Sequence, residues 1–196
     1  MKDRENDYPY RPTKEEIAAA EGKRVPDLIK PGLKVLFCGI NPGLYSGAVG
    51  HHFARPGNRF WPVLFSAGFT DRILSPFEER ELLESAYGIT NLVERATARA
   101  SALSRHELEE GSIRLKAKIE KYGPKIAAVL GMDAYRKAFG RKEEGIGAQS
   151  ERIGKTRLWV LPNPSGLNAH YQLEDLTLIF RELRAAAEEP GREAVC

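Results

Sequence analysis

The amino-acid sequence predicts a three-layer α/β/α domain built on a central, mainly parallel sheet. Short apolar runs alternate along the chain with helix-patterned stretches, the order expected of repeated strand–helix units. The runs are apolar at odd and even positions alike, as in strands covered on both faces. No internal repeat and no Gly/Ser/Pro-rich linker divides the middle of the chain.

In chain order, residues 1–30 read as an N-terminal arm. Within it, Thr13 and Glu16 form a capping-box pair that opens a short helix at roughly residues 14–22. Gly32 leads into the first strand, residues 34–39 (KVLFCG). Residues 88–93 (GITNLV) are short and β-branched. Residues 126–130 (IAAVL) follow a Gly-Pro break and stop at Gly131, and residues 157–161 (RLWVL) run into a Pro-Asn-Pro turn. Leu108, Leu115, Ile119 and Tyr122 share one face of a helix opened by Ser104 and Glu107. Leu173, Leu176, Phe180 and Leu183 repeat that spacing near the C-terminus, and residues 59–67, 76–87 and 132–139 fit shorter helices. Residues 31–187 are therefore expected to form a single domain, with 188–196 a frayed tail.

Composition excludes more than it assigns. At 196 residues and 42% hydrophobic content, the chain can bury one sizeable core. No apolar run is long enough to span a bilayer, and the charged start lacks the apolar middle of a signal peptide. Cys38 and Cys196 make neither a disulfide framework nor a thiolate set for zinc or an iron–sulfur cluster, so a reduced, cytoplasmic setting with no cofactor is expected. A net charge of +3 does not demand a nucleic-acid partner, though a local basic surface could provide one.

Two loops carry unusual chemistry, and both follow strands at the edge where such sheets bind ligands. The first runs Ile40-Asn41-Pro42-Gly43. Pro42 fixes its own φ and restricts Asn41, while Gly43 permits a sharp reversal, so one amide would be held rigidly above the sheet. An Asn that merely bonds its own backbone in a strand-end turn explains the same residues. The glycines lack both dinucleotide-binding spacing and a P-loop lysine. Downstream, His51 and His52 suggest a metal, but no third ligand stands at ligand spacing, so none is expected. Asn58 reads as the cap of a helix whose Phe60 and Trp61 enter the core, whereas Phe53, in a Gly/Pro-rich loop, could be a platform for a flat ring. The second loop, residues 162–169 (PNPSGLNA), is stiff and carries one apolar tip, Leu167, which has the form of a wedge for a base stack.

Together these segments resemble the mismatch-specific uracil-DNA glycosylase and thymine-DNA glycosylase family of the uracil-DNA glycosylase superfamily. The resemblance runs from about Pro31 to Leu183 and rests on GINPG over 39–43, residues 50–61, GITNLVER over 88–95 and NPSGL over 163–167. The branch with a catalytic aspartate in the first motif does not match, because Asn41 stands there, and the iron–sulfur branch lacks its cysteines.

The resemblance implies that Asn41 orients the attacking water and that Phe53 stacks on a flipped pyrimidine. It places backbone around Ile40, Pro42 and Phe53 at the base edge, and Ser46 in the pocket lining. Asn91, His51 and His52 would contribute to substrate binding. Leu167 would fill the gap in the duplex, with Asn163, Ser165, Gly166 and Asn168 forming the rest of the DNA-binding loop. The implied partner is double-stranded DNA containing G:U or related mismatches, bound by a monomer without a metal or cofactor. Ala169 departs from a bacterial pattern in which an arginine follows the wedge, and the His51-His52 pair resembles the eukaryotic branch more closely. Two readings stand beside this one: a small-molecule hydrolase, for which no Ser-His-Asp or metal set speaks, and a lesion-binding module without hydrolysis.

Overall fold

The computed structural model describes residues 10–141 and 145–189. Strands β1 (Val35–Gly39), β2 (Tyr87–Asn91), β3 (Ile126–Leu130), β4 (Gly147–Ile153) and β5 (Thr156–Leu161) form one sheet in the order β2-β1-β3-β5-β4. Every pairing is parallel except β4 against β5. Around the sheet lie α1 (Lys14–Ala18), α2 (Leu44–Val49), α3 (Phe60–Ser66), α4 (Arg105–Tyr122), α5 (Met132–Phe139) and α6 (Leu173–Glu188), with 3-10 turns at Pro76–Leu83 and Ala100–Ala102.

Residue alternation along β1 divides the core into two layers. Val35 and Phe37 face the layer that includes Phe60 of α3 and Phe180 of α6, while Leu36 and Cys38 face Leu115 of α4 and Tyr135 of α5. The Phe37 ring meets Phe60 and Phe69 edge-on at 5.4 Å and stacks near Phe180 at 6.2 Å. The three-layer arrangement expected from the sequence is thus the observed one, with Leu108, Leu115 and Ile119 buried on α4.

Capping chemistry sets several boundaries. Thr13 and Glu16 exchange their two bonds, Glu16 N–H donating to Thr13 Oγ1 at 3.2 Å and Thr13 N–H to Glu16 Oε2 at 2.8 Å. Ser104 and Glu107 do the same at the start of α4, which stops at the left-handed Gly123.

Three features were not anticipated. Helix α2 directly follows Asn41-Pro42-Gly43, and Gly43 is extended (φ −74°) at its start. The reversal expected of Gly43 is therefore made by the helix itself, in a conformation any residue can adopt. Residues 76–87, expected as a helix, form a 3-10 turn to Leu83 and then strand β2. Strand β4 is polar (GAQSERI), buries only Gln149 and Ile153 and returns to β5 through Gly154, which is left-handed (φ 57°).

The arm packs on the domain: Ala20, Val25 and Leu28 are buried, and Leu28 exchanges two backbone bonds with Ile89 on the outer edge of β2. Of the expected tail, Glu188 ends α6 and pairs with Lys34 at 3.0 Å, while residues 190–196, including Cys196, lie outside the described residues. No helix among the described residues is long and apolar enough to cross a membrane. The chains leaving β1 and β3 pass to opposite faces of the sheet, which opens a crevice at their carboxyl ends.

Candidate active site at the carboxyl ends of the strands

Asn41 sits where β1 stops. Its Nδ2 donates to Pro42 O at 2.9 Å, Thr97 Oγ1 at 2.8 Å and Arg95 O at 3.2 Å. The Thr97 hydroxyl sends its own proton to Arg99 O at 2.9 Å, so toward Asn41 it can only accept. Three acceptors around one NH2 group fix which way the amide faces, leaving Oδ1 without a protein donor among the described residues. The Pro42 carbonyl also accepts from Thr97 N–H at 3.1 Å, lacing the first loop to the segment after β2. The neighbouring Ile40 side chain packs on Gly131 at the end of β3, where a Cβ would lie 3.0 Å from Ile40 Cδ1.

Phe53 occupies the left-handed region (φ 52°), which costs a non-glycine residue about 1–2 kcal/mol. Its neighbours hold it there. His52 N–H donates to Glu79 Oε2 at 2.8 Å, and Ala54 N–H donates to Ser46 Oγ at 3.1 Å. Ser46, expected in the pocket lining, is buried and anchors this loop. The Phe53 ring stacks on Phe60 at 4.0 Å with planes 24° apart, so one face is braced against the core. The N–H groups of Ile40 and Phe53 have no protein acceptor among the described residues.

Asn91 completes the floor. It pairs in register with Gly39, where a Cβ would fall 2.5 Å from Asn91 Oδ1 and 3.3 Å from Phe53 Cζ. Only glycine lets amide and ring converge there. His52, 2% exposed, has Nε2 2.9 Å from Pro26 O, so that nitrogen carries the proton. Its Nδ1 is then the acceptor facing Asn91 Nδ2 at 3.4 Å, and Asn91 Oδ1 turns toward Gly39. Burial lowers the His52 pKa despite the nearby Glu79, which favours the neutral ring this chain of bonds requires.

The two histidines diverge. His51 Nδ1 bonds Glu79 Oε1 at 2.9 Å and its ring meets the edge of Phe77 at 4.7 Å. Glu79, only 5% exposed, thus serves both histidines with separate oxygens. Among the described residues, no group of three His, Cys, Asp or Glu side chains is placed to hold a metal ion.

The second loop is internally tied. Asn163 Oδ1 accepts from Ser165 N–H at 3.0 Å, and Asn163 O from Asn168 Nδ2 at 3.0 Å. Leu167 N–H reaches Ser165 Oγ at 3.3 Å, and the Leu167 side chain stands 71% exposed at the tip. A Cβ on Gly166 would lie 2.5 Å from Gly57 O, so the two loops touch backbone to backbone. Arg59 ties them further, its guanidinium donating to carbonyls of the second loop.

Thr97, Glu79 and Arg59 escaped the sequence reading, because each acts on residues far away in the chain. Arg59 and Glu79 both lay inside segments expected as helices, and the helical pattern does not name the distant partners of either side chain. The arrangement therefore combines an oriented amide oxygen, a braced aromatic face with free N–H groups beside it, and an exposed leucine on a stiff loop. A family model described as Uracil DNA glycosylase superfamily matches residues 26–184. The chain belongs to the uracil DNA glycosylase superfamily, whose members are DNA glycosylases.

Proposed function

We propose that this chain is a monofunctional glycosylase that flips uracil, or a related pyrimidine, from a mismatched duplex and hydrolyses its bond to the sugar. The observation that carries this reading is the Asn41 amide, whose nitrogen is held by three acceptors at the end of β1, leaving its carbonyl oxygen without a protein donor among the described residues.

Extrusion of a base costs a few kcal/mol, and less for a mismatched pair, so preference for G:U over A:U follows from the duplex before any contact is made. Leu167 would enter the vacated stack, and exposed Arg55 and Arg99, on the two loops bordering Asn41, would meet phosphates. The flipped ring would lie on the outer face of Phe53, with the Ile40 and Phe53 N–H groups and Asn91 Oδ1 at its edge. The bond between sugar C1′ and base nitrogen breaks with its electron pair leaving on the base, and water adds its oxygen to C1′. Asn41 Oδ1 accepts one water hydrogen and aims the lone pair; an amide is too weak a base to remove the proton, which passes to the departing base anion or solvent.

The residues gathered here include no lysine. Lys118, half-buried beneath them, is engaged by Asp27 at 2.6 Å and Glu94 at 3.3 Å. Burial alone would lower its pKa, but the hydrogen bond and charge of Asp27 raise it, the reverse of what a Schiff-base nucleophile needs. An intact abasic site, broken only by later alkali, is the expected product.

The test is single-turnover cleavage of labelled G:U, A:U and G:T duplexes, with alkali added after quenching. Alkali-dependent breaks, strongest at G:U and reduced about a hundredfold or more in Asn41→Ala, are expected. Wild-type cleavage rates in Asn41→Ala would overturn the mechanism. Tight binding without cleavage by the unaltered chain would make it a lesion-recognition module instead.

A further inference from the structure

We propose that Arg59 is the positioning residue for the wedge, coupling the loop that opens the duplex to the ring that receives the base. This inference rests on the reading of Leu167 as the wedge.

The guanidinium donates to four backbone carbonyls of one loop. Nε lies 3.4 Å from Pro164 O, Nη2 lies 2.6 Å from Ser165 O and 2.9 Å from Asn168 O, and Nη1 donates to Tyr171 O. The Arg59 backbone N–H adds a bond to Pro164 O at 3.0 Å. These carbonyls bracket Leu167 on both sides in the chain. Drawing them inward onto one planar fork leaves the wedge side chain facing out, which accounts for a stiff loop with an exposed apolar tip. A loop of this length would otherwise need ordered water for the same carbonyls, and water would not fix the height of the tip.

The fork also sets a distance. Arg59 is bonded directly to Phe60, whose ring braces Phe53 at 4.0 Å. One dipeptide therefore fixes both the wedge and the base platform, and Gly166 against Gly57 O closes the contact. No carboxylate pairs with Arg59 among the described residues, so its job here is met wholly by carbonyl dipoles. A lysine has the charge but not the planar fork, and cannot span four carbonyls in one plane.

The test is a double-mutant cycle on single-turnover cleavage of a G:U duplex. Arg59→Ala and Leu167→Ala should each slow it about tenfold, and the double variant should be no slower than the worse single one. Arg59→Lys should stay impaired. In an Asn41→Ala background, the fluorescence rise of 2-aminopurine placed beside the uracil should fall when Arg59 is replaced. Losses that multiply to about a hundredfold, or wild-type behaviour of Arg59→Lys, would overturn the proposal.

Where Arg59→Ala does not fold, Gly166→Ala should reproduce its defect by forcing the loop off Gly57, and normal cleavage by that variant would count against coupling. A wild-type chain that opens the mismatch without cleaving would sink the glycosylase reading alone. The fluorescence comparison would still decide the role of Arg59.

Discussion

The two loops of the site solve one physical problem with opposite chemistry. One follows α2 and the other leaves β5, so neither has a strand ladder to satisfy its backbone groups. In the segment from α2 to the start of α3 the orphans are N–H groups, and side-chain oxygens accept from them: Glu79 from His52, Ser46 from Ala54 and Asn58 from Phe60. In the second loop the orphans are mostly carbonyls, and one guanidinium donates to four of them. The first solution pins a strained residue, Phe53, against the core. The second holds an unstrained tip, Leu167, away from it. A pocket needs the former and a probe of the duplex needs the latter.

Substitutions should separate the two systems. The largest effect is expected for Glu79→Ala, which leaves a buried N–H and the His51 ring without their acceptor. A loss of about 2–3 kcal/mol in unfolding free energy should appear, with faster amide exchange at His52 and unchanged exchange at Asn168. Equal loosening of both loops would show that they are not independently held.

A smaller effect distinguishes strain from stacking. Phe53→Gly and Phe53→Ala both remove the platform and should both impair excision. The glycine variant should be the more stable of the two by about 1 kcal/mol, because it relieves the left-handed backbone that alanine inherits. Chemical denaturation of the pair measures this, and a more stable alanine variant would remove the argument from strain.

The smallest expected effect is on pH dependence. The His52 pKa is lowered in the fold by burial, against the opposing charges of Glu79 and Asp27, with His51 adding to the lowering. The unfolded chain therefore protonates this ring first. Its contribution to stability is complete above the ordinary value of 6.5 and is lost as pH falls below it. Melting temperature should drop between pH 7 and pH 5 by more in the wild type than in His52→Gln, whose amide can span Pro26 O and Asn91 without gaining a proton. A guanidinium does not titrate in that range, so the second loop should not respond.

Much of the scaffold was legible because its signals are local. The reciprocal bonds of Thr13 with Glu16 and of Ser104 with Glu107 span three residues, and the apolar runs of β1 and β3 name themselves. Strand β4 was not legible in the same way: half its residues face solvent, and its glycine turn was the only hint of a hairpin. Asn41, Phe53 and Asn91 could be singled out one by one. Their convergence over Gly39 could not, because it depends on the register of β1 with β2.

What the sequence determined by itself was most of the elements, the layering of the sheet and the identity of two stiff loops. These follow from periodicity, capping and the restricted dihedrals of proline, all of which act within a few residues. Tertiary structure alone decided which way each functional group faces. Thr97 turns the Asn41 amide from 56 residues away, Glu79 holds His51 from 28, and Arg59 reaches Tyr171 across 112. Hydrogen-bond partners at such separations are chosen by packing, since no local preference of the chain can specify a donor and acceptor that meet only once the sheet has formed.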